Sequence, residues 1–142
     1  MFIRHYTLEE ANALIPLARE ACARIRALVA QADTVRERLG RSSRTRTSSG
    51  LVSSGTEQDR ELLEQLSEQM GEEINRVHEL GGQVKGLDPF LVDFPALLDG
   101  RTVLLCWREG EDRITHFHPT EGGFSSRQPI ENPAVFGVPV AH

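Results

Sequence analysis

The sequence predicts an α+β fold: two long antiparallel helices, a helical hairpin, packed with a small antiparallel β-sheet. Three observations predict it. Apolar residues recur at three-four spacing from Ala11 to Leu39, and again from Leu63 to Leu80. After Gly82 that spacing gives way to extended, alternating sequence broken by Gly, Pro and Asp.

The first helix opens at "TLEE", Thr7 to Glu10, a capping box in which each end residue can satisfy the other's amide. Its stripe is Ala11, Leu14, Ala18, Ala21, Ile25, Leu28, Ala32, Val35 and Leu39, with near-heptad, coiled-coil-like character. Pro16 removes one backbone donor and should kink the helix or start it afresh. Gly40 offers a natural stop. The second stripe, Leu63, Leu66, Met70, Ile74, Val77 and Leu80, ends at Gly81-Gly82. Neither helix can bury its stripe alone. An antiparallel pairing within the chain completes both, and so would a second copy. Met70 and Cys22 read as packing residues. Between the helices, residues 41–56 are rich in Ser, Thr, Arg and Gly, longer than usual connections and expected to be mobile. Arg41, Arg44 and Arg46 there could meet a phosphate, although a solvated loop is the plainer expectation.

In the C-terminal part, "FLVDF" (90–94) alternates like a strand that Pro95 should end. A turn at Asp99-Gly100 leads to "TVLLCWR" (102–108), which should form a hairpin with "RITHFH" (113–118) around the acidic turn "EGED". The organisation expected is one domain over 1–130 with a loosely ordered tail at 131–142.

Composition excludes several classes. The 142 residues, 39% hydrophobic and 26% charged, suit a globular domain that needs no disulfide or metal staple. Cys22 and Cys106 form no CxxC pair, which suits free thiols in a reducing, cytoplasmic setting. The N-terminal residues lack the apolar run of a signal peptide, and "VLLCW" is too short to span a bilayer. The net charge of −5 argues against nucleic acid as a partner. The charge is segregated: residues 19–46 hold eight Arg against three acids, and 57–79 hold eight acids against two Arg. The simplest explanation is that these segments lie side by side. Lys85 is the sole lysine among 16 basic residues.

Candidate chemistry concentrates after residue 90. Asp93 is an acid inside an apolar strand and needs a partner if buried. Arg101, Arg108, Arg127 and His118 are the donors within reach of the fold. The resulting set Asp93, Arg108, His118 and Arg127 would brace the segment or bind an anion. His116 and His118 form an H-x-H whose rings share one face of a strand. With Cys106 and Asp93 they could hold a divalent transition metal such as zinc. The hairpin register decides: pairing Glu109 with Arg113 sets Cys106 opposite His116, and a one-residue slip sets Leu105 and Val103 there. Cys106 between Leu105 and Trp107 reads otherwise as inert packing. Trp107 belongs where helix and sheet meet. There is no nucleophile elbow, phosphate loop, HExxH or CxxC.

"YTLEEANALIP", "GLDPFLVDFPALLDGRTVLLCWREGEDRITHFH" and "GGFSSRQPI" together resemble an uncharacterised bacterial family, domain of unknown function 2203. The resemblance spans roughly residues 5–130 apart from the interhelical loop, and "VDFPAL", "DGR", "LCWR" followed by "GE", and "GF" before "RQP" are its most specific parts. An aromatic-His pair of that family falls on Phe117-His118, whereas His116 and Pro119 depart from its pattern. The resemblance implies no activity. The function expected from the residues is a non-enzymatic cytoplasmic module that self-associates, as a homodimer, or binds a protein partner through its helical surface. The alternative is a metal- or anion-binding protein, in one form a metal-dependent hydrolase, with its site on the C-terminal sheet.

Overall fold

The computed structural model of the chain describes residues 4–44 and 54–136. It contains two helices, α1 (Leu8–Arg44) and α2 (Ser54–Glu79). A five-stranded antiparallel sheet follows in the order β1 (Gln83–Leu87), β2 (Phe90–Leu98), β3 (Arg101–Arg108), β4 (His116–Pro119) and β5 (Gln128–Pro129). The α+β class predicted from periodicity is therefore present. The chain divides into two compact units, one of residues 1–22 with 76–142 and one of residues 23–75. Among the described residues, no helix is long and apolar enough to cross a membrane.

The capping box forms as its spelling requires. The Thr7 amide donates to Glu10 Oε1 at 2.9 Å, and the Glu10 amide donates to Thr7 Oγ1 at 3.0 Å. These bonds, the backbone contact to Thr7 first, lower the Glu10 carboxyl below its ordinary pKa. From there α1 is one helix to Arg44: it does not start afresh at Pro16 and does not stop at Gly40. Pro16 lies inside the helix, and Gly40 is followed by one more helical turn. No side chain meets Gly40, so it costs the helix propensity but creates no clash that would end it. Helix α2 begins at Ser54, so only residues 45–53 of the expected loop lie outside the described residues.

In the unit of residues 23–75, Ala32, Val35 and Leu66 are buried together, with Leu28, Leu39, Leu62 and Leu63 partly buried around them. Two ion pairs run in antiparallel register. Arg24 Nε meets Glu73 Oε2 at 2.7 Å, and Arg38 Nη2 meets Asp59 Oδ1 at 2.9 Å. The segregated charge thus finds its complement inside the unit. The Arg38 hydrogen bond holds the Asp59 carboxyl below its usual pKa, but pairs this exposed add little each to stability. They set register more than they stabilise.

The second unit holds the larger core. Pair registers place Val92, Phe94 and Ala96 of β2, Val103, Leu105 and Trp107 of β3, and Phe117 of β4 on one sheet face. Phe90, Phe94, Leu105 and Trp107 are fully buried, as are Ala11, Ile15 and Ala18 of α1. Edge-on aromatic contacts knit this layer: Tyr6 to Phe94 at 5.6 Å, Phe90 to Trp107 at 6.3 Å, and Phe117 to Phe136 at 5.4 Å between centroids. Asn12 Oδ1 accepts from the Ile114 amide at 2.7 Å, and Arg19 donates to the Asp112 carbonyl at 3.0 Å, tying α1 to the segment before β4. Within the tail expected to be loose, Phe136 is buried and residues 131–135 are exposed; residues 137–142 lie outside the described residues.

Three strand expectations change. Pro95 does not end β2; the strand continues to Leu98. β1 begins opposite Asp93, so beyond that point β2 has a neighbour only on its β3 side. The carbonyl of Pro95 turns the other way and accepts from the Tyr6 amide at 2.7 Å. On that side no ladder donor was required of Pro95. Second, β4 is short and starts at His116 rather than Arg113, because Asp112 and Ile114 are engaged by α1. Third, "QVKGL" forms β1, with its pairing shifted between Val84 and Gly86 so that Lys85 is an extra residue, a β-bulge. The Asp99-Gly100 turn is as read: φ is 51° and 77°, and Leu98 pairs with Arg101 across it.

Candidate functional site

The register that decides the histidine question pairs Cys106 with His116 and Leu104 with His118. Cys106 also lies directly opposite Asp93 on its other side. Asp93, Cys106, His116 and His118 therefore share the sheet face turned away from the aromatic core. His118 sits one step diagonal to Cys106, and its ring crosses β3 to reach Asp93. His118 Nε2 and Asp93 Oδ2 are 2.9 Å apart, with side-chain exposures of 3% and 1%.

Ligand atoms of Asp93, Cys106 and His118 all lie within 4.8 Å of one another, and all three residues are buried. The second nitrogen of His118 is committed: Nδ1 donates to the Pro119 carbonyl at 2.9 Å. A ring so fixed presents Nε2 toward the carboxylate, the orientation that backbone carbonyls commonly impose on metal-binding histidines. Asp93 Oδ1 is fully buried and has no hydrogen-bond partner among the described residues. A buried carboxylate oxygen without a partner is costly; a water, the neighbouring Cys106 thiol or a cation can each satisfy it. The donor set, one N, one S and one O, suits zinc.

Cys106 is not primed as a nucleophile. Burial, then the negative charge of Asp93 and its hydrogen bond, push the thiol up to about 12, against a small opposing pull from Arg127. Against an ordinary value of 9.0, that is about a thousandfold less thiolate at neutral pH. Alkylation mapped to Cys106 should accordingly be slower by about that factor in the metal-free folded chain than in urea at pH 8. Equal rates would mean the thiol is exposed. Because the folded pKa is raised, this group's contribution to stability is present below pH 9 and is lost as pH rises toward 12.

The remaining candidates separate from this cluster. His116, although opposite Cys106, turns its ring to Thr115 Oγ1 at 2.8 Å and lies 3.8 Å from Glu111 Oε2. Arg127 is not the partner of Asp93. Its Nη2 donates to Glu111 Oε1 at 2.6 Å and to the Cys106 carbonyl at 3.0 Å. Arg108 is exposed at the strand end, its guanidinium 5.7 Å from the Phe124 ring; Arg127 lies 4.9 Å from the same ring. The structure thus assembles Asp93, Cys106 and His118, and leaves His116, Arg108 and Arg127 as surrounding struts.

Two contributors escaped the sequence reading. Glu111, in a turn that reads as solvated, accepts from the Arg108 amide at 2.8 Å and pairs with Arg127. Lys85 lines a pocket of about 280 Å³ with Leu91, Asp93, Cys106, His118, Gly122, Gly123 and Phe124. Its isolation as the only lysine was visible; its position on a bulge was not. Gly122 of this wall matters, since a Cβ there would collide with Ser126, whereas Gly123 has open space around it.

The fold and cluster define a small α+β protein with a buried Asp-Cys-His group on the polar face of its sheet. Residues 4–130 match the family described as Uncharacterized conserved protein (DUF2203), and the chain belongs to that family. Neither the curated proteins nor the solved structures yield a match.

Proposed function

We propose that this protein binds one divalent transition ion, zinc by its donor set, through Asp93, Cys106 and His118. One observation carries the reading: three buried donors of the right types converge within 4.8 Å. Donors on one tetrahedral zinc at about 2.0–2.3 Å lie about 3.5 Å apart, so side-chain movements of up to about 1.3 Å would close the present cluster around an ion. Charge supports it too. A carboxylate and a thiolate would neutralise a dication, and His118 would ligate through Nε2 while its Nδ1–H donates to the Pro119 carbonyl. The repulsion that keeps Cys106 protonated beside Asp93 becomes attraction once a cation lies between them. With three protein ligands, a bound zinc would keep one position for water or substrate, as catalytic rather than structural zinc sites do. A dication held there would polarise a carbonyl or phosphoryl oxygen, which supports hydrolysis as the reaction class.

Elemental analysis of protein purified without chelator, then reloaded with zinc and desalted, tests the reading. The expected result is one zinc per chain, lost in His118→Ala and in Cys106→Ser. A parent that retains no zinc, or a His118→Ala variant that retains it fully, overturns it.

Self-association is a second reading, favoured by one observation: Leu28, Leu39, Leu62 and Leu63 remain only partly buried around the small core of residues 23–75. A second copy on that face would complete their burial, and symmetric dimers are the commonest assemblies. Light scattering at micromolar concentration should give the dimer mass; a monomer mass removes this reading.

A further inference from the structure

We propose that the pocket beside Asp93, Cys106 and His118 takes a small carboxylate bearing an apolar or aromatic group, with Lys85 as the counter-charge to the carboxylate. The inference rests on the zinc reading above and adds the ligand class. Lys85 is exposed and makes no hydrogen bond or ion pair among the described residues, in a chain carrying 21 acids. Among the described residues it is the only lysine or arginine lining the pocket. The bulge is what brings it there, since bulges re-aim the side chain of their extra residue.

Charge counting narrows the ligand. A dication with one carboxylate and one thiolate is neutral, so an entering anion would be balanced chiefly by Lys85, the cation in the pocket lining; of the two arginines against Phe124, Arg127 is already paired with Glu111. A monoanionic carboxylate is balanced; a phosphate dianion leaves one charge uncompensated in a poorly solvated wall. A compact ammonium also suits so small a space better than a guanidinium fork. The other lining side chains that protein ligation would not use, Leu91 and Phe124, are apolar. They offer the rest of the molecule an apolar seat, and about 280 Å³ limits it to metabolite size.

Cobalt(II) in place of zinc makes this measurable, because its visible bands shift when a ligand enters the open position. Phenylacetate, acetate and phosphate would be titrated into the cobalt-loaded protein. The expected order of affinity is phenylacetate, then acetate, then phosphate. Lys85→Met should weaken phenylacetate at least tenfold with cobalt content unchanged, and Lys85→Arg should recover part of the loss. Bands unmoved by phenylacetate in a protein that holds cobalt overturn this inference and leave the metal reading standing. Phosphate binding more tightly than phenylacetate, or Lys85→Met binding like the parent, overturns it equally. A parent that takes up no metal at all overturns both.

Discussion

Asp93→Ala should unfold in urea with a loss of about 1–3 kcal/mol, the cost of leaving a buried partner unsatisfied. The partner is His118, whose Nε2 lies 2.9 Å from Asp93 Oδ2 in a nearly dry setting. With the carboxylate gone, Nδ1 keeps its bond to the Pro119 carbonyl and Nε2 loses its Asp93 contact. Asp112→Ala is the control. That residue is exposed and contributes its backbone carbonyl, not its carboxylate, to Arg19, so its loss should stay within about 0.5 kcal/mol. The metal-free protein should show the full difference, and zinc should stabilise the parent but not Asp93→Ala. Equal urea midpoints for both metal-free variants would mean that the Asp93–His118 contact does not brace the sheet. Zinc stabilising Asp93→Ala as much as the parent would remove Asp93 from the ligand set.

The second large effect lies at the end of α2. Gly81→Ala should cost about 3 kcal/mol or more and broaden the transition. Gly81 has φ of 96°, and the helix ends in a pair of bonds that depend on it: Gly81 N–H to His78 O at 2.9 Å and Gly82 N–H to Val77 O at 3.1 Å. The left-handed conformation alone costs an L-residue roughly 1–2 kcal/mol. A Cβ there would also occupy the place of the Tyr6 phenol, whose hydroxyl donates to the Leu80 carbonyl at 2.8 Å. Tyr6 would have to leave both that bond and its edge contact with Phe94. Gly40→Ala, with open space at the Cβ position inside a helix, should instead leave stability unchanged or raise it. A Gly81→Ala protein as stable as the parent would show that this helix end is not held by the glycine.

Local chemistry accounts for what was legible beforehand. The capping box, the two helical stripes and the Asp99-Gly100 turn all depend on neighbours within a few residues, and each is where its residues predict. Asp93 announced itself as an acid in an apolar strand, and His118 was among its named partners. What escaped depends on distant chain. Pro95 can sit inside β2 because β1 stops short, a fact held in another element. His116 and His118 are equivalent by alternation, and only the diagonal offset across β3 sets His118 against Asp93 and leaves His116 beside Thr115. Glu111 reads as a solvated acid until Arg127, 16 residues on, folds back to it. Lys85 shows no periodic signature because a bulge is a break in period.

That bulge has a consequence for how the pocket could diversify. Residues in register are constrained twice, by their facing partners and by the layer beneath them. Lys85 is constrained by neither, since the pairing passes from Val84 to Gly86 without it. A change of side chain there alters what the pocket attracts while leaving the donor triad and the aromatic layer untouched. With the ligand proposed above, preference and structural integrity would be carried by separate positions. Related chains could exchange lysine for a neutral or acidic residue at this point and acquire a different ligand on an otherwise unaltered sheet.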